Sequence, residues 1–261
     1  MANPPANLVS LHGRRIGIDP DTHLVIQGRH ALSNPFIPKA RVVLDDDFLG
    51  PSIVSDRWDG VIGTSTAAVL PTIVAGAGGV ARLTTGQSTN GTLATNGCQL
   101  HSELNWQASK GNLSFEARVK LDVITAARVF IGFTDQVSAL ESPISSTGGS
   151  DTLIADATDA VGFVFDTAMT TDDWWAAGVA AGTVATSVDT ALAPTAATYQ
   201  KFRIEIDSTG SAQLFIDGNR VATVASAVTS TVPLTPVICT TALSSAAKLI
   251  DVDYIHCAQD R

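Results

Sequence analysis

Four glutamates, Glu103, Glu116, Glu141 and Glu205, are all that this chain of 261 residues offers of that acid. Glycosidic bond cleavage needs two carboxyl groups across the scissile bond, one protonated and one charged. Only Glu205 has a second acid at strand spacing, Asp207. Both alternate with Phe202, Ile204 and Ile206, and Lys201 and Arg203 share their face. That pattern predicts a solvated strand face with ordinary anions, so no catalytic residue is expected. The run Asp45-Asp46-Asp47 has the oxygen chemistry of a calcium site. Extended neighbours send their side chains to opposite faces, so a solvated strand start is the better reading and no metal is expected. Asp172 and Asp173 precede Trp174 and Trp175, an acid-next-to-aromatic composition that suits a sugar site. If this stretch is extended, one Trp enters the core and the other faces outward, as a ligand or interface aromatic.

The remaining reactive residues form no recognisable pattern. The five histidines show no His-x-x-x-His spacing, and Cys98, Cys239 and Cys257 are odd in number and far apart. Neither a zinc site nor a disulfide framework follows, and three reduced thiols are expected. Gly76-Ala-Gly-Gly79 is glycine-rich but lacks the strand-to-helix context of a phosphate cradle. No cofactor is predicted.

Residues are 45% apolar and 16% charged, which suits a globular chain. The 25 acidic and 16 basic residues give a net charge of −9, against general nucleic-acid binding. No run of about 18 apolar residues suggests a membrane span. Met1–Ala6 shows no cationic stretch leading into an apolar one, so no secretory leader is expected. The charge is divided unevenly. Residues 1–41 carry Arg14, Arg15, Arg29, Lys39 and Arg41 against Asp19 and Asp21, a balance of +3, and the remaining residues balance at −12. The first segment also holds His12, His23 and His30 and two short apolar runs, Ile16–Ile18 and Leu24–Ile26. We read residues 1–41 as an extended basic arm whose cations meet an acidic partner surface, and 42–261 as one domain.

That domain reads as antiparallel strands. Leu113, Phe115, Ala117, Val119, Leu121 and Val123 alternate with Ser114, Glu116, Arg118, Lys120 and Asp122, the period of a strand with one wet face. The same alternation marks Val129–Phe133, Val161–Phe165, Phe202–Ile206 and Ile250–Tyr254. Asp217-Gly218 between Leu214–Ile216 and Arg220–Val224 is a hairpin signal. Residues 64–97 predict weak strands around Val69, Ile73, Val80 and Leu83. The sum is an all-β body of two packed sheets.

Several segments carry a resemblance. Asp46-Asp-Phe48 with Trp58, Phe115-Glu-Ala-Arg-Val119, Val129-Phe-Ile-Gly-Phe-Thr-Asp135, Ala160-Val-Gly-Phe-Val-Phe-Asp166, Tyr199–Asp207, Phe215-Ile-Asp-Gly218 and Ile250–Ile255 follow one another as in concanavalin A-like lectin/glucanase (LamG-like) jelly rolls. The resemblance implies an antiparallel jelly-roll sandwich over 42–261. Hydrolases of that family place Glu-x-Asp-x-Glu on one strand, and this chain has no such run. Such domains behind a short arm are similar to tailed-bacteriophage virion proteins. The expectation that follows is a non-enzymatic capsid decoration, or cement, protein. It would be made in the host cytoplasm and dock on the major capsid protein through its arm as a homotrimer or, second, a dimer. The alternatives are a glycan-binding lectin module of a tail fibre or spike and, third, a glucanase.

Overall fold

The computed structural model describes residues 41–261, apart from 76, 77 and 90, and the backbone of three short strands before them. The chain divides into two compact units, Met1–Ala40 and Arg41–Arg261. In the first, β1 (Leu8–Leu11), β2 (Arg14–Gly17) and β3 (Val25–Ile26) form a small antiparallel sheet. Arg14 and Arg15 lie on β2, while Arg29, Lys39 and the three arm histidines fall outside the described residues. Arg41, expected in the arm, instead opens the first strand of the body. It faces Asp260 in the ladder and pairs with that carboxylate at 3.6 Å.

The second unit is a two-layer sandwich. Its back sheet runs β19 (Asn219–Val224), β18 (Ala212–Ile216), β17 (Tyr199–Ile206), β9 (Leu113–Leu121), β21 (Leu249–Asp260), β7 (Ala81–Thr84) and β6 (Val69–Ile73), with β4 (Arg41–Asp46) also on β21. Its front sheet runs β15 (Thr183–Val184), β14 (Trp175–Ala180), β13 (Ala160–Asp166), β10 (Ala127–Thr134), β20 (Thr235–Ala242), β8 (Gly97–His101) and β5 (Asp59–Ile62), with β16 (Val188–Asp189) also on β14. A separate hairpin, β11 (Ile144–Ser146) with β12 (Leu153–Ala155), completes the strands. The only α-helical turn among the described residues is Leu93–Asn96.

The alternation on β9 is borne out residue by residue, its odd positions buried and its even positions partly exposed. The buried set meets the front sheet across a shared core. Phe115 lies edge-on to Phe133 at 5.7 Å, Phe163 meets Phe202 at 5.1 Å, and Trp174 meets Phe202 edge-on at 4.7 Å. Such offset and edge contacts suit the ring quadrupoles. The Asp217-Gly218 turn has positive φ at both positions, 50° and 83°, as a tight hairpin of matching twist requires. Gly162 answers a different need. A Cβ there would sit 2.4 Å from the Ile131 carbonyl oxygen and 2.8 Å from the Phe130 ring.

The acidic run near the strand start is structural rather than merely solvated. Asp46 accepts the Phe48 backbone N–H at 2.8 Å and the Trp58 indole N–H at 2.9 Å. Asp45 turns the other way, toward His256 at 3.2 Å. Removing a carboxylate that satisfies two donors leaves them unpaired, which costs about 1–3 kcal/mol. Asp46→Ala is therefore expected to lower the stability measured by denaturant unfolding by that amount with an unchanged slope, and Asp45→Ala to leave it nearly unmoved.

Candidate functional site

The outer face of the front sheet is where this fold departs from a plain sandwich. Core residues such as Leu100, Ile131, Phe163 and Ile238 point inward, so their alternates point out. Ladder register aligns Trp175, Val164, Phe130, Cys239, Gln99 and Val61 in one outward row. The next row is Ala177, Gly162, Gly132, Val237, His101 and Asp59. β13 thus presents Ala160, Gly162 and Val164, with no carboxylate until Asp166.

This face is not open. The connection between β10 and β13, residues 136–158, crosses it as a strap containing the β11–β12 hairpin. Ile144, Leu153 and Ala157 from the strap, with Met169, pack on Phe130, Val164, Trp175, Ala177, Val179, Val237 and Cys239 as a second apolar cluster. Burying the larger of these side chains stabilises by roughly 1.5–3 kcal/mol each.

The tryptophan expectation is corrected here. Trp174 and Trp175 do point to opposite faces. Trp174, fully buried, bonds Gln200 through its indole N–H at 3.0 Å. Trp175 faces outward but is only 9% exposed, because the strap covers it. Neither is a surface ligand or interface aromatic. Asp173 beside them has its carboxyl raised by burial first, then by Asp189 and Asp172.

At the root of the strap stands the acid that sequence reasoning passed over. Glu141 is partly buried, and its carboxyl is pushed up to about 7 by that burial and by the Asp135 and Asp156 carboxylates. Among the described residues no cation pairs with it. Its backbone N–H donates to Gln99 Oε1 at 3.1 Å, and Thr134 Oγ1 donates to Glu141 Oε2 at 3.5 Å. Beneath it, Gln99 is 1% and His101 2% exposed. His101 Nδ1 lies 3.0 Å from the Ser102 carbonyl oxygen, which can only accept, so that nitrogen carries hydrogen. Gln99 Nε2 and His101 Nε2 are buried without a partner in the structure. Trp175 Nε1 and Thr241 Oγ1, also unpartnered, lie on this same outward face. Orphaned buried polar atoms are rare and cost about 1–3 kcal/mol each; the remaining unpartnered one among the described residues, Thr240 Oγ1, faces the core instead.

The acidic pair singled out in the sequence lies elsewhere, on the outer face of the back sheet. A concavity of about 960 Å³ there is lined by Arg41, Glu116, Arg203, Glu205, Asp207 and His256, among others. Its charges are compensated. Glu205 bonds Arg203, Glu116 accepts the Tyr254 hydroxyl at 2.7 Å, and Asp260 takes Arg41 and Asn112. Asp207 caps the 208–211 turn, and the Thr209 hydroxyl leads the bonds that hold its carboxyl below the usual range. Glu205 and Asp207 thus lie on a solvated strand face, and Glu141 does not line this hollow. Among the described residues no cluster of His, Cys, Asp and Glu could hold a metal ion.

No protein-family model and no curated protein sequence matches the chain. Solved structures do. A glycoside hydrolase family 16 endo-glucanase from Bacteroides ovatus, in complex with G4G3G-2F-DNP, superposes with a TM-score of 0.55 at 12% identity, over 82% of this chain and 99% of that one. An endo-acting O-glycanase of the human gut microbiota gives 0.55 at 10% identity, over 84% and 99%. The Bacillus licheniformis β-glucanase gives 0.51 at 13% identity, over 84% and 98%. These matches correct the expectation of a non-enzymatic capsid decoration protein without a catalytic site, because the named proteins that share this body are carbohydrate-active enzymes. The fold itself is that of the family 16 glucanases, a concanavalin A-like jelly roll.

Proposed function

We propose that the protein is a carbohydrate-active enzyme that hydrolyses a glycan at the root of the strap. Glu141 would be the proton donor, with Asp135 or Asp156 as the charged partner. One observation carries the reading: Glu141 is a partly buried carboxyl that no cation pairs with among the described residues, and burial together with Asp135 and Asp156 pushes it up to about 7, so a proton donor stands beside two further acids. That is the division of labour glycoside hydrolysis requires. The structural kinship with glucanases and an O-glycanase supports the substrate class. β13 presents Ala160, Gly162 and Val164 outward, so in this reading the acids come from the strap and the end of β10.

The test is turnover of soluble β-glucans and mucin-type O-glycans between pH 5 and 9. The expected result is hydrolysis of at least one, with a rate that falls as pH rises through about 7. Binding without turnover at every pH would overturn the reading and leave a glycan-binding domain.

A further inference from the structure

We propose that residues 136–158 form a pH-released strap over the front sheet, pinned at its far end and latched at its root by the carboxyl groups of Glu141, Asp135 and Asp156. The inference concerns regulation of the site described above and rests on that reading for its consequence, but its readout does not depend on turnover.

The strap is hydrogen-bonded as a sheet only to itself, since β11 pairs with β12 and neither joins the front sheet. Its far end is firmly held. Ser146 Oγ donates to the buried Asp166 at 2.7 Å, and Asp151 accepts the Thr170 and Thr171 backbone N–H groups at 2.9 and 3.0 Å and the Thr171 hydroxyl at 2.9 Å. The root is held differently. It rests on Glu141 N–H to Gln99, on the Thr134 hydroxyl to Glu141, on Gly182 N–H to the Thr158 carbonyl at 2.7 Å and on the packing of Ile144, while Asp156 and Ala157 N–H to the Pro143 carbonyl at 3.1 and 3.0 Å tie the two legs of the strap to each other.

Asp135 follows the end of β10 and Asp156 the end of β12, and both carboxylates act on Glu141 in the strap's first leg. The other titratable groups beneath are Cys239 on β20 and His101 on β8. The Cys239 thiol, pushed up to about 12 by burial first, stays neutral. With Glu141 protonated, its carboxyl adds no charge of its own beside Asp135 and Asp156. With Glu141 ionised, a partly buried charge that burial, Asp135 and Asp156 all disfavour stands at the root with no cation paired to it among the described residues. The orphaned Gln99 and His101 nitrogens add a standing cost to closure, which opening relieves by admitting water.

The sign follows from linkage. Glu141 holds its proton more tightly with the strap closed than when solvated, so closure is most stable below its ordinary value of 4.5 and loses that contribution as pH rises through about 7. A tenfold difference in proton affinity between the closed and open forms makes a tenfold difference in the opening equilibrium. Opening is therefore expected to rise of the order of 100-fold across this window. The closed form is the one that keeps the proton donor protonated, so release also switches hydrolysis off.

Hydrogen exchange on the full chain from pH 5 to 9, corrected for the intrinsic rate, tests this. Amides of residues 136–143 should lose protection as pH rises through 7, while β9 and β17 keep theirs. Glu141→Gln should keep the root closed throughout, and Asp156→Asn should shift the midpoint downward, because one anion that raises the Glu141 carboxyl is gone. Protection that is independent of pH in the natural chain, or the same pH dependence in Glu141→Gln, overturns the latch. If Glu141→Gln does not fold, an unmoved midpoint in both Asp156→Asn and Asp135→Asn overturns it equally. A pH-dependent strap in a protein that hydrolyses nothing would sink the enzymatic reading and leave the latch standing.

Discussion

Glu141→Gln is expected to cut glycan turnover by about 10²–10⁴-fold, the usual contribution of a positioned general acid. The amide keeps the size of the side chain and can still accept from Thr134, but it has no acidic proton to give. Two readouts separate this from a folding defect. The thermal midpoint should hold or rise, because a neutral group replaces one whose charge is disfavoured by burial and by Asp135 and Asp156. Substrate affinity should change far less than the rate. Under the proposed function, the natural chain should lose activity above pH 7 as Glu141 ionises, and residual activity in the variant should show no such limb. Full activity in Glu141→Gln would show that the reacting acid lies elsewhere.

Asp166→Ala is expected to destabilise the body by about 3–5 kcal/mol, the cost of stripping one partner from a buried ion pair. Asp166 is fully buried and bonds the Arg128 guanidinium at 2.6 Å, the Ser146 hydroxyl at 2.7 Å and the Ala168 backbone N–H at 2.9 Å. Arg128 side-chain exposure is only 19%, so the orphaned cation cannot simply relocate to water. For a domain of this size the loss corresponds to a melting-temperature drop of the order of 10 °C. Arg128→Met with Asp166→Leu should cost less than Asp166→Ala alone, because packed apolar groups leave nothing unpaired. A double variant as unstable as the sum of its singles would show that the pair acts through something other than compensation.

The strands are written in the chain itself. Alternation at Leu113–Leu121, the β-branched and aromatic runs of β10, β13 and β17, and the Asp217-Gly218 turn are local signals, since side chains two apart share a face whatever else the chain does. Even Asp46, whose run reads as a solvated start, has its partners Phe48 and Trp58 close by in sequence.

The site is not legible in this way. Residues 136–158 have no hydrophobic period, because a strap packs by where it lands and not by a repeat of its own. β8 shows none either, since both of its faces are buried. Trp175 reads as an outward aromatic until another segment is laid over it. In the sequence Glu141 is only an acid lacking a neighbour at strand spacing, because Asp135 and Asp156 reach it through the path of the β10–β13 connection. Spacing along a chain fixes which side chains share a face. How much water a carboxyl group keeps, and which charges it must live beside, is decided only when distant segments close over it.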